Sequence, residues 1–251
     1  MTWAKSPNRE ATQQESTVKK ITLALLFSLG ALSLFGCHRA FHTQEQALQP
    51  MEQSYRGLLP CADCSGIETS LFLAEDGTYV LQEHYTGAEK PTDAAAENRV
   101  FAAYGRWART ADKLVLTSRE GEKRYFRAHE KSLEMLDRNG TPISSAFNYT
   151  LQSVTAPLPS TPMTMSGMFR QQAGNAMFHD CTTGKTYPVV HQTDLERAFR
   201  KVRGDDQEAE PVFLTLAGHY ALQPDTRSGE PTRTLVPDSM PQFSPGKKCD
   251  D

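Results

Sequence analysis

The residues best equipped for chemistry are the cysteines, of which the chain has 5. Cys61 and Cys64 stand together in Leu58–Gly66, "LLPCADCSG". A thioredoxin-type redox site needs a helix starting at the first cysteine to lower its pKa, and here Ser65-Gly66 leads into a strand-like run. A zinc site needs two further ligands, and no second C-x-x-C exists in the sequence. Soft thiolates select Cu(I), which makes Cys61 and Cys64 candidate ligands for that ion. The plainest reading is a disulfide staple across a turn, a very short loop that is more reducible than a long one. Met163, Met165, Met168 and Met177 form a second group of soft donors. Thioethers suit Cu(I), although methionines more often fill gaps in cores. Histidines such as His129 read as surface residues.

Which cysteine chemistry applies depends on the compartment. Lys19 and Lys20 precede an almost wholly apolar run, Ile21 to Phe35, followed by Gly36 and Cys37. This is the pattern of a secretory signal. At about 15 residues the run is short of the roughly 20 needed to span a bilayer. Leu34-Phe35-Gly36-Cys37 resembles the bacterial lipoprotein signal, in which the cysteine becomes the lipid-bearing first residue of the mature chain. The alternative is an anchor that is never cut. Several acyl chains on Cys37 would hold the protein firmly, since one chain binds only marginally. His38, in place of the aspartate that favours inner-membrane retention, implies the outer membrane, with the body facing the periplasm. Met1 to Thr17 carry Pro7, Glu10 and Glu15, unusual in a signal, and translation is expected to start at Val18.

An oxidising periplasm permits disulfides, with a periplasmic thiol oxidase as the partner that forms them. With Cys37 committed to lipid, four cysteines remain and allow three pairings. A proline-rich stretch separates Cys61 and Cys64 from Cys181 and Cys249, so pairing within each part is simplest. A Cys181–Cys249 bond would close a loop of about 70 residues, worth roughly 4 kcal/mol in the chain-entropy model. It would tie the C-terminal tail to its domain. A domain that depends on this bond also reports the redox state around it.

The remaining sequence must build what holds these cysteines. The formal net charge is −3, and loss of residues 1–36 would make it about −5. That balance, without a basic stripe, argues against nucleic acid. No second apolar run approaches membrane length. Residues 37–53 are polar and Gln-rich and read as a tether. Residues 54–155 are strands and turns. Glu68–Leu73 and Thr78–Tyr85 make a hairpin around Glu75-Asp76-Gly77. Phe101–Thr110 is strand-like with Trp107 as a core anchor. Lys113–Thr117 and Lys123–Arg127 make a second hairpin, and Leu133–Leu136 and Phe147–Gln152 follow. Gly87 to Asn98 reads as a loop. Short, evenly spaced strands indicate a barrel or sandwich. Residues 156–164, "APLPSTPMT", form a linker. In residues 165–251, three strands (Met165–Gln172, Ala176–Cys181, Thr186–His191) precede a helix. Its signal is Leu195, Ala198, Phe199 and Val202 at helical spacing, with Thr193 and Glu196 as a capping box. Pro211–Tyr220 and Thr232–Val236 then return to strand. This order matches an OB-like five-stranded barrel with one helix. No G-x-S-x-G elbow, phosphate-cradling glycine loop or paired carboxylates are present, so no enzyme is expected.

"GLLPCADCSGIETSLFL", "YGRWARTADKLVLT", "LEMLDRNGTPI", "FNYTL", "TTGKTYPV", "LERAF" and a late single cysteine together resemble the NlpE family of outer-membrane lipoproteins. The resemblance covers residues 18–251. It implies a mainly β protein, with a lipocalin-like N-terminal barrel and an OB-like C-terminal one. It also implies roles in copper homeostasis and surface adhesion, and activation of the Cpx envelope-stress pathway through the inner-membrane sensor kinase CpxA. The expected function is therefore a non-enzymatic envelope sensor. The alternative is a periplasmic carrier, holding copper at the C-x-x-C segment or a small apolar ligand inside the barrel.

Overall fold

A computed structural model describes residues 53–87, 100–110, 113–172, 174–190, 193–203, 210–225 and 229–251. The expected signal, the tether up to residue 52, Cys37 and nearly all of the Gly87–Asn98 loop lie outside them. The chain is mainly β. Strands β1 (Gln53–Leu59), β2 (Gly66–Leu73), β3 (Thr78–Thr86), β4 (Val100–Thr110), β5 (Lys113–Ser118), β6 (Lys123–Ala128), β7 (Ser132–Met135) and β8 (Thr150–Val154) run in sequence order around a closed barrel. Closure comes from β1 pairing antiparallel with both β2 and β8.

Period-two alternation sends Leu71, Leu73, Tyr79, Leu81, Leu114, Leu116, Phe126, Leu133 and Leu151 into the barrel. An eight-stranded barrel is just wide enough for such side chains or one small ligand. Gly105 lies opposite Tyr79. A Cβ there would meet Thr117 O at 2.2 Å and the Tyr79 ring at 2.9 Å, so only glycine lets the ring lie across β4. Trp107 is half-buried, and its Nε1–H donates to Ala74 O at 2.8 Å, tying β4 to the β2–β3 turn.

Two details differ from the sequence reading. The last strand begins at Thr150, not Phe147, because Asn148 Oδ1 accepts the Thr150 amide in a side-chain turn and Phe147 stays exposed. The first strand, which sequence alone did not delimit, starts at Gln53.

Burial pushes the Tyr79 hydroxyl up to about 12, with Arg124 opposing and Glu120 and Glu83 adding smaller effects. A tyrosine raised in the folded state stabilises fully below its unfolded value near 10, and loses that contribution as pH climbs from 10 through 12. We expect Tyr79→Phe to flatten this alkaline loss, so that at pH 11 the variant's stability relative to wild type is about 1 kcal/mol better than at neutral pH. Urea unfolding at pH 7 and pH 11 measures this.

Residues 163–251 form β9 (Met163–Gln172), β10 (Asn175–Asp180), β11 (Thr186–Pro188), α1 (Thr193–Arg203), β12 (Val212–Pro224), β13 (Pro231–Pro237) and β14 (Gln242–Ser244). The sheet order is β11-β10-β9-β12-β13. A parallel bridge between Val189 and Leu235, with Val190 N–H donating to Leu235 O at 3.0 Å, brings β11 back to β13. This is the OB arrangement that the strand order indicated. The short β14, unmarked in the sequence, pairs with β12. It delivers Phe243 to Phe169 and Phe199, whose ring centroids lie 5.1 Å apart. Helix α1 has Asp194 and Glu196 in its first turn and Arg200, Lys201 and Arg203 in its last, matching the helix dipole. Leu195 and Phe199 face the core, whereas Val202 is exposed.

The proline stretch is packed rather than free. Ala156 and Met163 are buried, and Thr161 Oγ1 donates to Gln82 Oε1 on β3 at 3.1 Å. Phe72, Val80 and Tyr104 point out of the first barrel and join the core of the second. Burying side chains such as Phe72 and Val80 contributes roughly 1.5–3 kcal/mol each, so one continuous core crosses the junction.

Candidate functional site at the junction of the two barrels

Cys61 and Cys64 occupy the bend between β1 and β2, with Cα atoms 5.3 Å apart and their sulfurs bonded. The chain then enters β2 directly, without a helix. The donor atoms of Cys61, Asp63 and Cys64 lie within 4.8 Å of one another. While the sulfurs are bonded to each other neither is a thiolate, so a metal-binding reading of Cys61 and Cys64 applies to the reduced form.

Cys181 and Cys249 are bonded across 68 positions, with Cα atoms 5.2 Å apart. Cys181 begins the tight turn after β10. Its amide donates to Ser166 O at 3.0 Å, and Gly184 N–H donates to Asp180 O at 2.8 Å. Cys249 lies in the tail beyond β14, where Lys247 Nζ stands 4.6 Å from the Phe213 ring centre.

The residue before Cys181 makes this turn part of the junction. Asp180 is 0 % exposed. Its Oδ1 accepts the Thr183 amide at 2.6 Å and the Thr183 hydroxyl at 2.8 Å. Its Oδ2 accepts the hydroxyl of Tyr104, on β4 of the first barrel, at 2.6 Å. Burial raises the Asp180 carboxyl above the ordinary range, and its donors oppose that rise, with Tyr104 first among them. Tyr104 itself is pushed far up by burial and by Asp180.

Two further bonds flank this contact. Arg119 Nη1–H donates to Ser166 Oγ at 2.8 Å, and Arg233 donates to the Thr78 hydroxyl. Tyr220 packs edge-on against Tyr104 at 5.6 Å and lies 4.7 Å from Tyr187. Among the described residues the buried Tyr220 hydroxyl has no hydrogen-bond partner, a cost of about 1–3 kcal/mol. The disulfide Cys181–Cys249 is thus one residue away from the polar contact joining the barrels. Sequence reasoning found the cysteines but not Tyr104 or Asp180.

The mouth of the first barrel holds a second feature, an open cavity of about 1010 Å³. Leu59, Ile67, Leu81, Leu116 and Met135 give it apolar walls. Arg124 Nη1 pairs with Glu83 Oε1 at 2.5 Å beside it. This end of the barrel is open as a cup.

A closed eight-stranded barrel sharing a core with an OB barrel, and a disulfide in each, defines a two-domain, mainly β class of protein. The N-terminal domain of NlpE matches residues 55–146, and the NlpE C-terminal OB domain matches residues 159–250. The chain belongs to the NlpE family. It is 46% identical over 239 residues to Lipoprotein NlpE of Escherichia coli K12, covering 92% of this chain and 98% of that one. The crystal structure of the Cpx pathway activator NlpE from Escherichia coli is 50% identical, covers 80% of this chain and 100% of its own, and has a TM-score of 0.38. A putative lipoprotein from Shewanella oneidensis is 29% identical, covers 45% of this chain and 95% of its own, and has a TM-score of 0.33.

Proposed function

We propose that this chain is a lipoprotein of the outer membrane, anchored through acyl chains on Cys37, that reports the state of the envelope by activating the Cpx two-component pathway. The E. coli relative is described as a Cpx pathway activator, and among the described residues no helix is long and apolar enough to cross a membrane. The receiver is the inner-membrane kinase CpxA. Correct acylation and export keep the body away from that kinase, and failed trafficking leaves it within reach. Adhesion and copper stress enter through the same output. The protein works without catalysis, by exposing surface or lengthening its reach.

One observation carries the redox part of this reading. Cys181 adjoins Asp180, whose buried carboxylate holds Tyr104 of the other barrel at 2.6 Å. When a thiol oxidase has closed Cys181–Cys249, the turn is fixed and the junction is held. When the bond is missing, the turn loosens and the first barrel is released. The buried Tyr220 hydroxyl without a partner lowers the cost of that release.

The carrier reading rests on the cup in the first barrel, whose volume suits a small apolar ligand, and on copper at reduced Cys61 and Cys64. Mass spectrometry of protein recovered from bacterial envelopes tests the main reading. The expected species lacks residues 1–36 and carries acyl chains on Cys37. A bare thiol at Cys37 with the leader still attached contradicts it, and a small apolar molecule retained in the native spectrum favours the carrier.

A further inference from the structure

A pocket on the second barrel gathers donors of one chemical kind. We propose that Met168, Met177 and His179 form a site for a soft monovalent cation, Cu(I) or Ag(I). β9 and β10 are antiparallel, and their register sets His179 directly opposite Met168 and Met177 opposite Arg170. Met177 and His179 are two residues apart on one strand. The intervening Phe178, with Phe169 and Ala176, points into the core and is buried, so alternation turns all three donors to the outer face. Directly opposed residues on one face have Cβ atoms roughly 5 Å apart, and diagonal neighbours stand roughly 7–8 Å apart. Two flexible thioethers and an imidazole therefore reach a common point, and they line one pocket of about 610 Å³.

The second observation is the imidazole's own support. His179 Nδ1 lies 3.0 Å from Thr186 Oγ1, and Thr186 lines the same pocket. With Nδ1–H donating to that hydroxyl, Nε2 keeps a lone pair for a metal, and the ring is held in place as ligating histidines usually are. Of the four clustered methionines, Met163 and Met165 are core residues. Met168 and Met177 are only partly covered, which leaves them open to an incoming ion.

The donor set decides the ion. Two thioether sulfurs and a neutral imidazole are soft and uncharged, and they favour Cu(I) over hard oxygen-seeking ions. Among the described residues lining the pocket, Glu210 alone is acidic, while Arg170 and Lys248 are basic. That balance repels a divalent ion held by charge and leaves softness as the basis of selection. Cys249 borders the pocket but contributes no thiolate while bonded to Cys181.

Silver(I) is a suitable probe because, like Cu(I), it is a soft monovalent ion with a filled d shell, and it does not cycle its oxidation state. The full chain, with both disulfides intact and the Cys37 thiol blocked by alkylation, is titrated and followed by native mass spectrometry and by NMR of the methionine methyl groups. We expect one Ag(I) per chain, shifts at the Met168 and Met177 methyls, and no such shifts with Zn(II). A Met168→Leu, Met177→Leu variant should bind at least about tenfold more weakly, since loss of even an outer-shell partner weakens metal sites 10–100-fold. A Cys61→Ser, Cys64→Ser variant should bind as wild type does. Leucine conserves volume, thermal melting checks folding, and the wild-type methyl shifts decide the matter by themselves if the variant fails to fold. Unchanged affinity in the folded methionine variant overturns the proposal. So do methyl shifts confined to other methionines, or binding lost with Cys61 and Cys64.

Discussion

A Cys181→Ser, Cys249→Ser chain will unfold about 4 kcal/mol more readily than wild type and will signal more strongly at equal expression. The bond spans 68 positions, and a loop of that size gives roughly that stabilisation by restricting the unfolded chain. The folded state adds a local effect. Without the bond, the turn after β10 loses its tie to the tail, and that turn supplies the Thr183 amide and hydroxyl that hold Asp180. Denaturant unfolding measures the first effect and a Cpx-responsive reporter the second. Loss of stability without a rise in signal would remove redox sensing from the account and leave the bond a purely structural clamp.

The second large effect needs no change in any cysteine. Tyr104→Phe keeps the ring against Tyr220 but takes the donor from Asp180 Oδ2 and the acceptor from the Thr182 hydroxyl. A buried carboxylate left without one of its partners costs about 1–3 kcal/mol. The Tyr104 bond is the first of the effects holding the Asp180 pKa down, so its loss raises that carboxyl further. We expect the junction to loosen and the reporter to rise while alkylation shows both disulfides intact. Wild-type signalling from a measurably destabilised Tyr104→Phe chain would separate the junction from the output.

The parts of this molecule that were legible in its sequence are those encoded locally. Alternation over "TYVLQEHY" and "KLVLT" marked strands because one side of each faces the barrel interior. Leu195 and Phe199 marked α1 because a helix among strands changes the period from two to about 3.6. The junction was not legible. Tyr104 and Asp180 are 76 positions apart, and no spacing rule brings a β4 tyrosine to a β10 aspartate. A signal was nevertheless present, since "SLFL" and "TYVL" place apolar residues on both faces of β2 and β3. Phe72 and Val80 on the outer face require a cover, which the second barrel provides. Met168 and Met177 stood out as soft donors, but their grouping with His179 was not legible for a related reason. Alternation puts Met177 and His179 on one face, but only the β9–β10 register sets Met168 beside them. β14, at three residues, is too short for any periodicity to appear.

The claim on which the rest depends is that the Cys181–Cys249 bond keeps the two barrels joined through Asp180 and Tyr104. Fluorine NMR of a chain carrying 3-fluorotyrosine at position 104 reads this most directly. In the oxidised protein the Tyr104 resonance should be that of a buried ring, insensitive to exchange of water for heavy water. Once mass spectrometry shows Cys181 and Cys249 reduced, it should move to a solvent-sensitive position. A Tyr104 resonance that stays buried and unmoved after that reduction would contradict the account.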